Sequence, residues 1–137
     1  MSLLSQHTAA TAVQAGIAKS AEIGVKMNIA VVDAGGHLLQ FSRMEGAWLG
    51  SVDIALKKAK TAALFTLPTA VIGTISQPGG PVYGIEHTND GLVSFGGGLP
   101  VVDQAGNVLG SVGVSGGDVQ QDTTVAEAVV QAIVAAH

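Results

Sequence analysis

Two stretches of this sequence share one short pattern, and that pattern constrains the fold more than any other feature. Residues 30–40 read AVVDAGGHLLQ, and residues 100–110 read PVVDQAGNVLG. In each, Asp and Gly separate two apolar runs, which is the composition of a tight turn between antiparallel strands. The sequence therefore predicts two β-hairpins. It leaves open whether they arose by internal duplication or whether such turns simply require Asp and Gly.

Helical patterns lie before, between and after the hairpins. Apolar residues recur at three- and four-residue steps over residues 5–25, which indicates an amphipathic helix. A second helix is expected over residues 51–65. The spacing of Thr124 and Glu127 is that of a capping box, which predicts that a last helix opens there. The segment 77–90 has no clear period and is expected to be an ordered loop.

Length and composition limit the classes of protein to which the chain can belong. At 137 residues the chain has the length of one domain, so we assign residues 1–137 to a single domain. A formal net charge of -4 provides no positive surface for a phosphate backbone, so nucleic-acid binding is not expected. The absence of cysteine excludes disulfides, zinc–thiolate sites, iron–sulfur clusters and thiol nucleophiles. With 47% hydrophobic and 12% charged residues, part of the surface is expected to close in an oligomer.

The patterns of membrane insertion and secretion are not found in the sequence. No apolar run reaches the roughly 18 residues that a spanning helix needs. The first residues, MSLLSQ, lack the basic start and the apolar stretch of a signal peptide. We therefore expect a cytoplasmic protein without a membrane partner.

Three longer segments carry a resemblance to a known family. They are AVVDAGGHLLQFSRMEGAW at 30–48, SVDIALKKAKTAALF at 51–65 and FGGGLPVVDQAGNVLGSVGVSGGDVQQD at 95–122. Their composition, position and order resemble those of the GlcG/HbpS family of haem-binding domains. The resemblance implies a profilin-like or PAS-like α+β fold, in which helices flank an antiparallel sheet of about five strands. It also implies homodimers or larger even-numbered oligomers.

The same resemblance implies two classes of function. The first is the binding of haem or a related tetrapyrrole. The alternative is an accessory protein or enzyme that acts on a small hydroxy acid, diol or aldehyde in glycolate, glycerol or propanediol metabolism. A fold does not fix a reaction, so both remain open beside a third, a structural or interaction module.

The irregular segment contributes the first candidate site. Residues 83–90 read YGIEHTND, and loops held by a rigid scaffold carry function more often than core elements do. Glu86, His87 and Thr88 are the preferred binding residues, with His87 as an iron ligand through a neutral imidazole nitrogen. Tyr83 is a candidate wall of the ligand pocket. The alternative for His87 is an ordinary loop histidine bonded to backbone.

Basic residues contribute the second group of candidates. Four of the six basic residues fall within 18 positions, namely Arg43, Lys57, Lys58 and Lys60. Arg43, Lys57 and Lys60 are candidates for binding a carboxylate such as a haem propionate. Arg43 is equally suited to a structural salt bridge with Glu45 or Asp53. Lys58 is expected on a solvated helix face.

Other histidines and glycines add little to these candidates. His7 is a further residue that would reach a subunit interface or a haem edge, whereas His37 is assigned to turn chemistry. The glycine clusters at 96–98 and 116–117 match no phosphate-binding motif, so nucleotide binding is not expected. No nucleophile with its base and orienting group is recognisable, so no catalytic residue is assigned.

Overall fold

A computed structural model describes residues 3–137 of the chain. Its elements, in chain order, are α1 (Gln6–Ile23), β1 (Asn28–Asp33), β2 (Leu38–Arg43), α2 (Gly50–Phe65), α3 (Thr69–Ile75), a 3-10 turn (Ile85–His87), β3 (Gly98–Val102), β4 (Val108–Ser115) and α4 (Val119–Ala135). No helix in this range is long and apolar enough to cross a membrane.

The strands form one sheet in the order β2-β1-β4-β3, and each neighbouring pair is antiparallel. The α+β class with helices flanking an antiparallel sheet is therefore confirmed. The expected number of about five strands is wrong, because the sheet has four within the described range. Residues before β3 add no fifth strand, since the Val93 N–H donates to the Thr61 hydroxyl of α2, 3.1 Å away, rather than to a neighbouring strand.

Both predicted hairpins are confirmed, and the turn of the first is organised by one carboxylate. Asp33 Oδ1 accepts hydrogen bonds from the backbone N–H groups of Gly35 and His37, each at 2.9 Å. Gly36 completes the turn at φ 85°, a left-handed conformation that glycine adopts at no steric cost. The donated hydrogen bonds, chiefly that of the His37 N–H, lower the pKa of the Asp33 carboxyl.

The turn of the second hairpin repeats this geometry. Asp103 Oδ1 accepts from the N–H groups of Ala105 at 3.0 Å and Asn107 at 2.8 Å, and Gly106 has φ 88°. A register shift, the mark of a β-bulge, precedes each turn at the same relative position, after Val31 and after Val101. The likeness seen in the sequence is therefore a likeness of three-dimensional structure.

Helices cover both faces of the sheet, and the main core lies on the face against α1 and α4. That core is formed by alternate strand residues and by the apolar stripes of the two helices, including Ile29, Val31, Val112, Val114, Val13, Val125 and Val129. On the opposite face α2 packs against Ala30 and Val32 through Ala59. Small residues on this face allow a close approach, because a Cβ on Gly113 would overlap the Ala55 carbonyl oxygen.

The last helix begins earlier than the sequence pattern predicts. Asp118 caps α4 by accepting from the Gln121 N–H at 2.8 Å, while Gln121 Oε1 accepts from the Asp118 N–H at 3.0 Å. This is a complete capping box, so the prediction that Thr124 opens the helix is wrong. The Thr124 hydroxyl instead donates to the Gln120 carbonyl within the helix.

The contact between α2 and β4 yields a stability prediction. Gly113→Ala should lower the free energy of unfolding by about 1–3 kcal/mol, because the added methyl must push the helix off the sheet. Gly50→Ala is a suitable control, since a Cβ there meets nothing within 4 Å. Urea denaturation of both variants measures the difference. Equal stabilities of the two variants would contradict the close packing.

Candidate functional site

The loop that carries His87 is docked against α2. The Lys60 ammonium donates to the Asn89 carbonyl, and the Thr61 hydroxyl accepts from the Val93 N–H. The His87 N–H donates to the Gly84 carbonyl at 3.0 Å, closing the 3-10 turn. The loop is therefore ordered, as expected, and it holds the exposed imidazole of His87 at the surface.

Glu86 and Thr88, which flank His87, use their side chains within the loop. Glu86 Oε2 accepts from the Ser94 hydroxyl at 3.0 Å, and the Thr88 hydroxyl donates to the Ile85 carbonyl at 2.7 Å. Glu86 Oε1 is buried and has no hydrogen-bond partner among residues 3–137. These two residues brace the loop, and the imidazole of His87 between them is exposed.

Two of the predicted cationic residues lie beside this loop. Lys57 Nζ is 3.3 Å from Asp53 Oδ2 and packs beside Gly91, where a Cβ would lie 3.2 Å from it. Lys60 reaches the loop at Asn89, two residues after His87. Both cations therefore stand where the loop meets α2, within a partly exposed surface.

The structure groups most of the predicted site residues but separates one of them. Tyr83 lies at the start of the same loop and is 68% exposed. Arg43 ends β2, the edge strand opposite β3, where it is exposed and pairs with Asn28 of β1. The residues brought together are Glu86, His87, Thr88, Lys57, Lys60 and Tyr83.

Lys58 is placed quite differently from the expectation. It is fully buried, and its ammonium donates to Asp122 Oδ2 at 2.9 Å and to the Val114 carbonyl at 2.8 Å. The Phe95 ring lies above it, with its centroid 5.1 Å from Nζ. The predicted solvated position of Lys58 is wrong, because this residue falls on the same helical stripe as Ala55 and Ala62, which face the sheet.

Burial acts on both members of this ion pair. Desolvation raises the pKa of Asp122 and lowers the pKa of Lys58, while the attraction between the two groups opposes both shifts. Asp122 Oδ1 also accepts from the Gly117 N–H at 2.9 Å, so both carboxylate oxygens are paired. A Cβ on Gly97 would lie 2.6 Å from Lys58 Nζ, which explains a glycine at that position.

A surface depression lies elsewhere in the molecule. It has a volume of about 410 Å³, lies between the two hairpin turns, and is lined in part by Leu4, Leu39, Leu109 and Asp33. None of the predicted binding residues lines it. Sequence reasoning did not identify it because most of its lining is apolar and comes from separate parts of the chain, the N-terminal segment and the two hairpins.

The comparisons with known proteins place the chain in a family. A family model described as "Haem degrading protein HbpS-like" matches residues 4–131. The chain is 48% identical over 115 residues to an uncharacterized 15.0 kDa protein of Citrobacter freundii from the dhaT-dhaS intergenic region, covering 83% of this chain and 80% of that protein. It is 38% identical over 121 residues, 88% of this chain, to the corrinoid adenosyltransferase PduO of Citrobacter freundii, of whose length it spans 36%.

Two solved structures have the same fold. The protein ORFY of Klebsiella pneumoniae has a TM-score of 0.92 and 37% identity, covering 97% of this chain and 92% of that one. A structure described as the PduOC:Heme complex has a TM-score of 0.89 and 33% identity, covering 96% of this chain and 95% of that one.

The buried ion pair leads to a prediction for stability. Lys58→Met or Asp122→Asn alone should lower the free energy of unfolding by about 3–5 kcal/mol, because each leaves an unpaired charge in the interior. The double variant should recover most of that loss. Chemical denaturation of the three proteins measures the coupling energy.

Lys57→Met is the matched control for this prediction. It removes an exposed ion pair with Asp53, which contributes at most about 1 kcal/mol. If Lys58→Met cost no more than Lys57→Met, the pair would not hold the layers together.

Proposed function

The chain belongs to the HbpS-like family, and we propose that it binds haem or a related tetrapyrrole, with the imidazole of His87 as a ligand of the iron. The observation that carries the proposal is the likeness, at a TM-score of 0.89 over 96% of the chain, to a domain whose structure is described as a haem complex. We further propose that the protein acts in the cytoplasm as a homo-oligomer.

The donors around the loop suit the chemistry of haem. The His87 imidazole is exposed, and a neutral ring nitrogen is a common axial ligand of haem iron. Lys57 and Lys60 provide cations for propionate carboxylates. A propionate would compete with Asp53 for Lys57 and with the Asn89 carbonyl for Lys60, so each lysine changes partner at little cost.

Exposed apolar side chains on α2 and in the segment that follows it suit a flat macrocycle. Leu64 on α2, Tyr83 in the loop and Phe95 beyond it are 46%, 68% and 44% exposed. The space between α2 and the sheet is filled, because the helix backbone packs against Gly113. Haem would therefore bind at the surface, and a second copy of the chain would cover its other face, which favours an even-numbered oligomer.

Haem and the protein have separate roles in this proposal. Haem supplies a redox-active iron when it is bound. Glu86 and Thr88 hold the backbone that orients His87, and Lys57 and Lys60 neutralise the carboxylates. The ion pair of Lys58 keeps the neighbouring Phe95 in place.

A second candidate is an accessory protein or enzyme for a small oxygenated metabolite. The likeness to the corrinoid adenosyltransferase PduO supports it, although the chain spans 36% of the length of that protein. In this function the iron-ligand role of His87 would be unnecessary. Binding of haem and binding of a small metabolite therefore separate the two candidates.

Titration of the purified protein with hemin tests the proposal. We expect a saturable shift of the Soret absorption band, and we expect His87→Ala to weaken binding at least tenfold or to shift the band of the complex. His37→Ala is the matched control, because that imidazole is also exposed and lies in a hairpin turn. His7→Ala tests the other candidate ligand.

Two outcomes would contradict different parts of the proposal, namely haem binding itself and the assignment of His87 as the iron ligand. Absence of a saturable Soret shift in the unmodified protein would eliminate haem binding. An unchanged complex in His87→Ala, with loss in His7→Ala, would move the iron to α1 and contradict the assignment of His87.

A further inference from the structure

A buried polar side chain at the start of β1 has an amide oxygen without a hydrogen-bond partner in the described part of the chain. Asn28 is 0% exposed, and its Nδ2 donates to the Trp48 carbonyl at 3.2 Å. Its Oδ1 is buried and has no donor among residues 3–137. An unpaired buried acceptor is costly, and it requires a donor from a ligand or a water.

Two further buried polar side chains belong to the same region of the fold. Ser115 lies directly opposite Asn28 on β4 and is 4% exposed. Ser51, also 4% exposed, precedes Ala55 by one turn of α2, and Ala55 packs against Gly113 on the same strand as Ser115. The start of α2 therefore covers a small polar cluster rather than an extension of the apolar core.

Positive charge flanks the same position. Arg43 is the cross-strand partner of Asn28 on β2, so the two side chains share one face of the sheet. Lys26 Nζ lies 2.9 Å from the position of a Cβ on Gly46, in the turn that leads to α2. Glu45 in that turn forms no ion pair with either cation within residues 3–137.

The N-terminus of α2 adds to the positive electrostatic potential of Arg43 and Lys26. α2 runs for 16 residues and no side chain caps its first turn, while the acidic residue in that turn, Asp53, is paired with Lys57 at 3.3 Å. The partial positive charge of an uncapped N-terminus favours an anion there. An anion is therefore attracted by the helix end and by two basic side chains, while the buried Asn28 oxygen requires a hydrogen-bond donor.

We infer that the start of α2 is a binding site for a small hydroxycarboxylate. Its carboxylate pairs with Arg43 and Lys26, and its hydroxyl donates to Asn28 Oδ1. A hydroxyl suits the acceptor better than an ammonium does, because Arg43 and Lys26 repel a second cation. The inference rests on the second candidate function, the binding of a small oxygenated metabolite, and it stands whether or not haem binds, because the site shares no residue with the His87 loop.

Access to the acceptor requires movement of the segment that covers it. Asn28 Oδ1 is enclosed in this conformation, and the Trp48 carbonyl bonded to the same amide belongs to the covering segment. The Trp48 indole is 68% exposed, and it is the only tryptophan of the chain. Its fluorescence therefore reports on occupancy of this site.

Titration of the haem-free protein with three matched probes tests the inference. Lactate carries both groups, propionate lacks the hydroxyl, and 1,2-propanediol lacks the carboxylate. At constant ionic strength we expect a saturable change in Trp48 fluorescence with lactate, and at least tenfold weaker binding of the other two.

Two variants connect the binding to the site. Arg43→Gln removes an exposed charge and should fold normally, yet it should weaken lactate binding at least tenfold, whereas Lys19→Gln, a surface cation on α1, should not. Asn28→Ala should abolish the preference for lactate over propionate. No saturable response to lactate, equal affinity for propionate, or an unchanged affinity in Arg43→Gln would each overturn the inference, and the first would mean that only water pairs with Asn28.

Discussion

The ammonium of Lys58 and the carboxylate of Asp122 join helices that lie on opposite faces of the sheet. The bond between them passes beside the backbone of residues 96–98, where glycines leave room for Nζ. Each charge is buried, so each depends on the other and on the backbone groups of Val114 and Gly117. The buried ion pair therefore holds α2 against the sheet. The position of α2 in turn determines where the His87 loop docks.

The close contact between α2 and the sheet has a consequence for ligand binding. Alanines and Gly113 bring the helix backbone against β4, which leaves no internal space for a large cofactor. A ligand that contacts α2 must therefore bind at the margins of this helix. The loop with His87 docks along this helix, and the polar cluster around Asn28 lies under its first turn. The positions of both proposed sites thus follow from the close packing of α2 on the sheet.

The sequence predicted the features that depend on local chemistry. Asp33 and Asp103 organise their turns through neighbouring amides, so their roles follow from a few residues. Features that depend on distant residues could not be found in this way. The partner of Lys58 lies 64 positions away on another element, and the unpaired oxygen of Asn28 is apparent only when α2 covers it. The position of Lys58 on an apolar stripe was the one available signal of its burial.

The most direct test of haem binding at the His87 loop is a two-dimensional NMR spectrum of the protein with paramagnetic haem. Iron broadens the backbone signals of the residues closest to it. We predict that broadening centres on residues 83–91 and on the neighbouring turn of α2 at Lys57 and Lys60. Broadening centred on α1 or on the hairpin turns, with the signals of residues 83–91 unaffected, would contradict it.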